Sequence, residues 1–87
     1  MYEIEITPEG LRHLNRLHDK VRAAALEAIF GPIAENPQRF GKPLVGELEG
    51  LHTVRRGDYR GIYEIFDGDQ VVLIHRGQHR RDVFRPR

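Results

Sequence analysis

The feature that most constrains this chain is a Gly57-Asp58 dipeptide set between two strand-like runs, LHTVRR at 51–56 and YRGIYEIF at 59–66. A two-residue break of this kind predicts a tight β-hairpin, and with it an antiparallel pair at the centre of the fold. The hairpin is unusually furnished. Arg55, Arg56 and Arg60 fall within six residues, beside Tyr59 and Tyr63. Guanidinium groups add little to a core and suit the bidentate recognition of phosphate.

The rest of the chain supplies what such a hairpin packs against. Tyr2, Ile4 and Ile6 alternate with Glu3 and Glu5, the period of a strand with one buried face. Thr7-Pro8-Glu9 reads as a helix start, with Thr7 as cap and Pro8 at the first helical position; Leu11, Leu14 and Leu17 then share a face. Asp19 is expected to cap a second helix carrying Val21, Ala24, Ala25, Ala28, Ile29 and Ile33. Gly31-Pro32 should kink or briefly break it, and Asn36-Pro37 should end it. Residues 38–50, punctuated by Gly41, Pro43, Gly46 and Gly50, read as a surface loop anchored by Phe40, Leu44 and Leu48. After the hairpin, Asp67-Gly68-Asp69 forms a second turn. The run QVVLIHR at 70–76 is apolar enough to be a central strand covered on both faces.

These elements predict one α+β domain over residues 1–87 with the order β-α-α-β-β-β. Its last three strands form an antiparallel sheet, and an αα-hairpin packs on one face. The other face is left open, and a functional surface belongs there. Parity along the second hairpin strand places Tyr59, Gly61, Tyr63 and Ile65 together, as core packing against the helices. It places Arg60, Ile62, Glu64 and Phe66 on the opposite side.

Composition narrows the setting. The 87 residues include no cysteine, which excludes disulfides and thiolate metal sites. No apolar run approaches the roughly 20 residues of a membrane span, and the first residues are acidic where a signal peptide is basic, so a cytoplasmic protein is expected. Net charge is only +1, but it is divided: residues 1–50 hold six Lys/Arg against eight Asp/Glu, and residues 51–87 hold eight Arg against five. Every Lys/Arg position beyond residue 50 is Arg. A solvated charged surface would account for that asymmetry as well as a phosphate-binding one.

Element order and three local motifs resemble the RelE/ParE toxin superfamily of type II toxin–antitoxin systems. The matching stretches are Gly41-Lys42-Pro43-Leu44 leading to Leu48-Glu49-Gly50-Leu51, then Arg55-Arg56-Gly57-Asp58-Tyr59-Arg60 with Tyr63, and finally His79-Arg80-Arg81-Asp82-Val83-Phe84. Each is short; their order and spacing in a chain of this length make the likeness specific. The RelE branch is the better match. The resemblance implies a ribosome-dependent mRNA endonuclease that attacks the scissile phosphate with the RNA's own 2′-hydroxyl, needs no cofactor or metal, and is held inactive by a RelB-like antitoxin. The ParE branch, whose toxins inhibit DNA gyrase without cutting nucleic acid, is the alternative.

Cleavage by a 2′-hydroxyl needs a base, a cationic clamp on the phosphate and an acid for the departing 5′ oxygen. Arg60 matches the family's catalytic arginine, and Arg80 that of its C-terminal His-Arg motif. Arg55, Arg56, Arg76 and Arg81 are the implied contacts to messenger and ribosomal phosphates. Two departures matter. The family's terminal Tyr is Phe84 here, which stacks on a base but transfers no proton. The lysines serving as base in the family's nucleases have no counterpart on the first hairpin strand, where Leu51 and Thr53 stand. Proton transfer then falls to His52, His75, His79 or solvent, histidine being the side chain that ordinarily titrates near neutrality. His79 is the candidate because it adjoins Arg80, although a neutral histidine bonding a strand end would look the same. His75, within the apolar strand, reads as structural, and His13 and His18 sit apart on the helices.

Overall fold

The computed structural model describes residues 1–46 and 50–75. Strand β1 (Glu3–Ile6) leads into helix α1 (Pro8–Arg16) and helix α2 (Asp19–Ala28), which continues as a π-helical segment, Ile29–Ile33. A one-turn helix α3 (Pro37–Phe40), a two-residue strand β2 (Lys42–Pro43), and strands β3 (Leu51–Arg56), β4 (Tyr59–Phe66) and β5 (Val71–His75) follow. The sheet order is β1-β5-β4-β3-β2. The last three long strands are antiparallel, as expected, while β1 lies parallel to β5 at one edge, Ile4 opposite Val72 and Ile6 opposite Ile74.

Local chemistry explains most boundaries. Thr7 accepts a hydrogen bond from the Gly10 amide at 2.9 Å, with Pro8 at the first helical position. Thr7→Ala should therefore cost about 1 kcal/mol, read as a lower midpoint in thermal or urea unfolding with an unchanged slope. At the second helix the cap is His18 rather than Asp19. Its Nδ1 accepts from the Lys20 amide at 3.5 Å, and Asp19, already helical, binds Arg22 at 2.6 Å. Leu11 does not join the core. Gly10 is buried in the first turn of α1 and takes the inward place, so Leu11 comes round to solvent, 50% exposed, while Leu14 is buried.

Gly31-Pro32 causes no break. The helix widens into the π segment around Pro32, which lacks the amide a regular turn would use, and ordinary bonding resumes with Asn36 N–H donating to the Pro32 carbonyl at 2.9 Å. Asn36 then leaves helical geometry, as a residue before proline tends to, and Pro37 opens α3. The segment from Gln38 onward is thus more than a loop: α3 occupies its start, and Lys42 and Pro43 pair with Thr53 and His52 at the second sheet edge. Leu44 is buried as its anchor.

The core lies between the sheet and α2 with its π extension. Ala25, Ile29 and Ile33 meet Val54, Tyr59, Tyr63, Val72 and Ile74, with Leu14 from α1. The small alanines let α2 approach the sheet closely. Strand β5 is central in its pairing, but only Val72 and Ile74 are buried; Val71, Leu73 and His75 are half-covered on the other face. Alternation, not coverage on both sides, governs this strand.

Tyr63 ties α3 and β2 to the core. Its hydroxyl donates to the Pro37 carbonyl at 2.7 Å and accepts from the Gly41 amide at 2.7 Å. The backbone at Gly41 comes so close that a Cβ there would collide with the Tyr63 hydroxyl and lie 2.8 Å from the Thr53 carbonyl. Burial raises the Tyr63 hydroxyl's pKa, with the Gly41 hydrogen bond opposing. The Tyr59 hydroxyl is pushed up to about 12 by burial.

Candidate nucleic-acid interface

Register determines which side chains share the open face, because residues directly opposite on neighbouring strands project to the same side. The two-residue turn, with Gly57 at φ 60, follows the type II′ pattern and sets Arg56 opposite Tyr59 and Arg55 opposite Arg60. Tyr59 is buried on the helical side. Arg56 goes with it, and its guanidinium lies 3.9 Å from Glu27 of α2. Both partners of that pair are well exposed, so it adds little to stability. Arg55 and Arg60 stand side by side on the open face, both exposed. Among the described residues neither has an ion pair or hydrogen bond.

The next row on this face runs Lys42–Thr53–Ile62–His75, and the one beyond it Leu51–Glu64–Leu73–Glu5. Glu64 does not neutralise Arg60. Its Oε1 lies instead 3.4 Å from His75 Nε2. Three groups that sequence reasoning left out of the site therefore face it: Lys42, His75 and Glu64. For His75 the signal was available, since the turn after Phe66 sets Phe66 opposite Val71 and so Ile62 opposite His75. For Lys42 it was not, because a two-residue strand has no periodicity to read.

The other described histidines belong to the fold. His18 caps α2, and the His13 ring lies 5.9 Å from that of Tyr59. His52 sits on the helical side, opposite Tyr63 and stacked on it at 5.3 Å with 12° between planes. Burial lowers its pKa, and its Nδ1 has no hydrogen-bond partner. This gives a pH prediction with a definite sign. The unfolded chain takes up a proton at His52 near the ordinary value of 6.5 while the folded chain resists it, so stability contributed at neutral pH is lost as pH falls below that value. Urea midpoints between pH 7.5 and 5.5 should fall for the wild type and fall less for His52→Gln. Arg76, His79, Arg80, Arg81 and Phe84 lie outside the described residues.

Comparison with known proteins identifies the family and the fold. Residues 4–84 match the family model described as ParE toxin of the type II toxin–antitoxin system parDE. Toxin RelE of Mycobacterium tuberculosis is 47% identical over 91 residues, covering 99% of this chain and 94% of that protein. Toxin RelG of the same organism is 40% identical over 84 residues, covering 97% of each. Among solved structures, the toxin–antitoxin complex RelBE2 of M. tuberculosis aligns at TM-score 0.83 and 40% identity, over 91% of this chain and 98% of its counterpart. The intact Escherichia coli RelBE complex shares the fold at TM-score 0.74 and 20% identity, over 93% and 100% of the two chains. The chain thus belongs to the RelE/ParE superfamily of type II toxin–antitoxin toxins, with RelE-named toxins among its relatives.

Proposed function

We propose that this toxin is a ribosome-dependent mRNA endonuclease that cuts in the A site, with the RNA 2′-hydroxyl as nucleophile. The observation that carries the reading is the Arg55–Arg60 pair, two arginines directly opposite each other on an open sheet and, among the described residues, without a carboxylate on either. Like charges so placed are destabilising, and a bound phosphate relieves the repulsion. Arg60 and Arg80 clamp the scissile phosphate in this reading. Arg55, Arg76 and Arg81 hold neighbouring phosphates, Phe84 stacks on a base, and His79 is the tail's candidate for proton transfer. Arg56, expected from the sequence to join them, lies on the helical side beside Glu27 and is left out of these contacts. A net charge of only +1 is compatible with this, because the ribosome presents the messenger already oriented.

A RelB-like antitoxin is the expected partner. The solved relatives from M. tuberculosis and E. coli are toxin–antitoxin complexes, and co-expression of the neighbouring reading frame should abolish growth inhibition. The family model that matches is named for ParE, so gyrase is the rival target. Purified protein added to translating ribosomes with a defined mRNA should yield codon-positioned cuts that require ribosomes. Intact mRNA together with lost gyrase supercoiling would overturn the reading.

A further inference from the structure

Building on the RNA-cleaving reading, we propose that His75 is the general base that takes the 2′-hydroxyl proton, with Glu64 as the residue that positions its ring. Of the described histidines, His75 alone shares the open face with Arg60, since His13 and His52 lie on the helical side and His18 caps a helix. It stands opposite Ile62, and Arg60 and Glu64 flank Ile62 two residues away on either side, so His75 is diagonal to both. Such diagonal neighbours lie about 7–8 Å apart, a gap that long side chains span. A phosphate held by Arg60 would therefore bring its adjoining 2′-hydroxyl within reach of His75.

The Glu64 carboxylate lies 3.4 Å from Nε2 of His75, and Nε2 is buried with no well-formed hydrogen bond of its own. A carboxylate at one ring nitrogen draws the ring proton to that side and leaves the other, Nδ1, with the lone pair a base requires. Among the described residues, the charged groups on this side of the sheet are Glu64 and Arg60 from β4, Arg55 from β3, Lys42 from β2, and Glu3 and Glu5 from β1; Glu64 is the one within 4 Å of the His75 ring. None of these carboxylates pairs with Arg60 among the described residues, so the guanidinium keeps its hydrogen-bonding fork for the substrate.

The step balances without a cofactor. His75 Nδ1 accepts the 2′-hydroxyl proton, and the 2′ oxygen forms its bond to phosphorus. The bond from phosphorus to the 5′ oxygen breaks, and that oxygen leaves with a proton from solvent or a separate acid. The products are a 2′,3′-cyclic phosphate and a 5′-hydroxyl, and the imidazolium returns its proton to water. His75 thereby fills the role left vacant where this chain has Leu51 and Thr53 instead of lysine.

The test is single-turnover cleavage on mRNA-programmed ribosomes by wild type, His75→Ala, His75→Asn and Glu64→Gln. Both His75 variants should lose about 10²-fold or more in the cleavage step. Melting temperature and ribosome affinity should stay near wild type, and added imidazole should restore part of the His75→Ala rate. Glu64→Gln should lose less, in rate rather than affinity. With a substrate whose 5′ oxygen is replaced by sulfur, a leaving group that needs no acid, the His75→Ala defect should persist. Full activity in both His75 variants, or a defect that vanishes with the sulfur substrate, would overturn the assignment while leaving the nuclease reading intact. Absence of cutting by the wild type would defeat both.

Discussion

Replacing Arg60 with alanine is expected to reduce ribosome-dependent cleavage by about 10²–10³-fold, the usual loss when a preorganised donor to developing charge is removed. Stability should change by less than about 0.5 kcal/mol, because the side chain is exposed and makes no described contact. The expected sign is a small gain, since the repulsion from Arg55 directly opposite is lifted. Arg60→Lys separates charge from geometry: it keeps the charge but not the two-pronged fork, so most of the loss should remain. Arg55→Ala should weaken binding more than the cleavage step, whereas Arg56→Ala, on the other side of the sheet beside Glu27, should affect cleavage least of the three. Growth inhibition at wild-type strength by a folded Arg60→Ala protein would show that the clamp lies elsewhere.

The second large effect is on the fold. Tyr63→Phe removes one hydroxyl and leaves two backbone groups without their partner, the Pro37 carbonyl and the Gly41 amide. Each such loss costs about 1–3 kcal/mol, so the pair should cost about 2–6 kcal/mol. In a domain of this size each kcal/mol lowers the melting temperature by about 4–8 °C, which makes the change easy to measure. Hydrogen exchange should show where the loss falls: amides of α3 and β2 exposed first, those of β4 and β5 still protected. An unchanged melting temperature would mean that the pairing of β2 with β3 holds this segment unaided. Because Lys42 rides on β2, the same substitution should weaken RNA affinity modestly without altering the cleavage step.

These expectations trace which parts of the molecule could be read from its sequence. The hairpin was legible because Gly57-Asp58 sits between two long period-2 runs, and both strands have the bounds the pattern predicts. The parity that buries Tyr59 and Tyr63 also put Arg60 on the open side. The same two-residue turn fixes Arg55, not Arg56, as its neighbour, a distinction visible only when strands are paired rather than read singly. The coverage of the strand that carries His75 was misjudged for a related reason. Four apolar residues before His75 suggested a strand covered twice, yet only alternate members are buried, and the histidine falls on the uncovered set.

What was illegible lacks local signal altogether. A one-turn helix and a two-residue strand have too few residues for any period to emerge, so α3 and β2 were hidden inside an apparent loop. The parallel contact of β1 with β5 joins residues nearly 70 positions apart and depends on the whole chain closing. The passage of α2 through Pro32 reflects tertiary context over propensity: Ile29 and Ile33 are fully buried, and retaining both on one helical element outweighs a regular turn.

The central claim is that the open-face guanidinium pair serves metal-independent cleavage of ribosome-bound messenger by its own 2′-hydroxyl. The most direct measurement is the chemistry of the cut ends on mRNA held in programmed ribosomes with the purified wild-type chain and chelator present. The account predicts cuts within the A-site codon, a 5′-hydroxyl on the downstream fragment, a 2′,3′-cyclic phosphate upstream, and no cut where the 2′-hydroxyl is replaced by hydrogen. Intact messenger, or fragments bearing a 5′-phosphate, would contradict it.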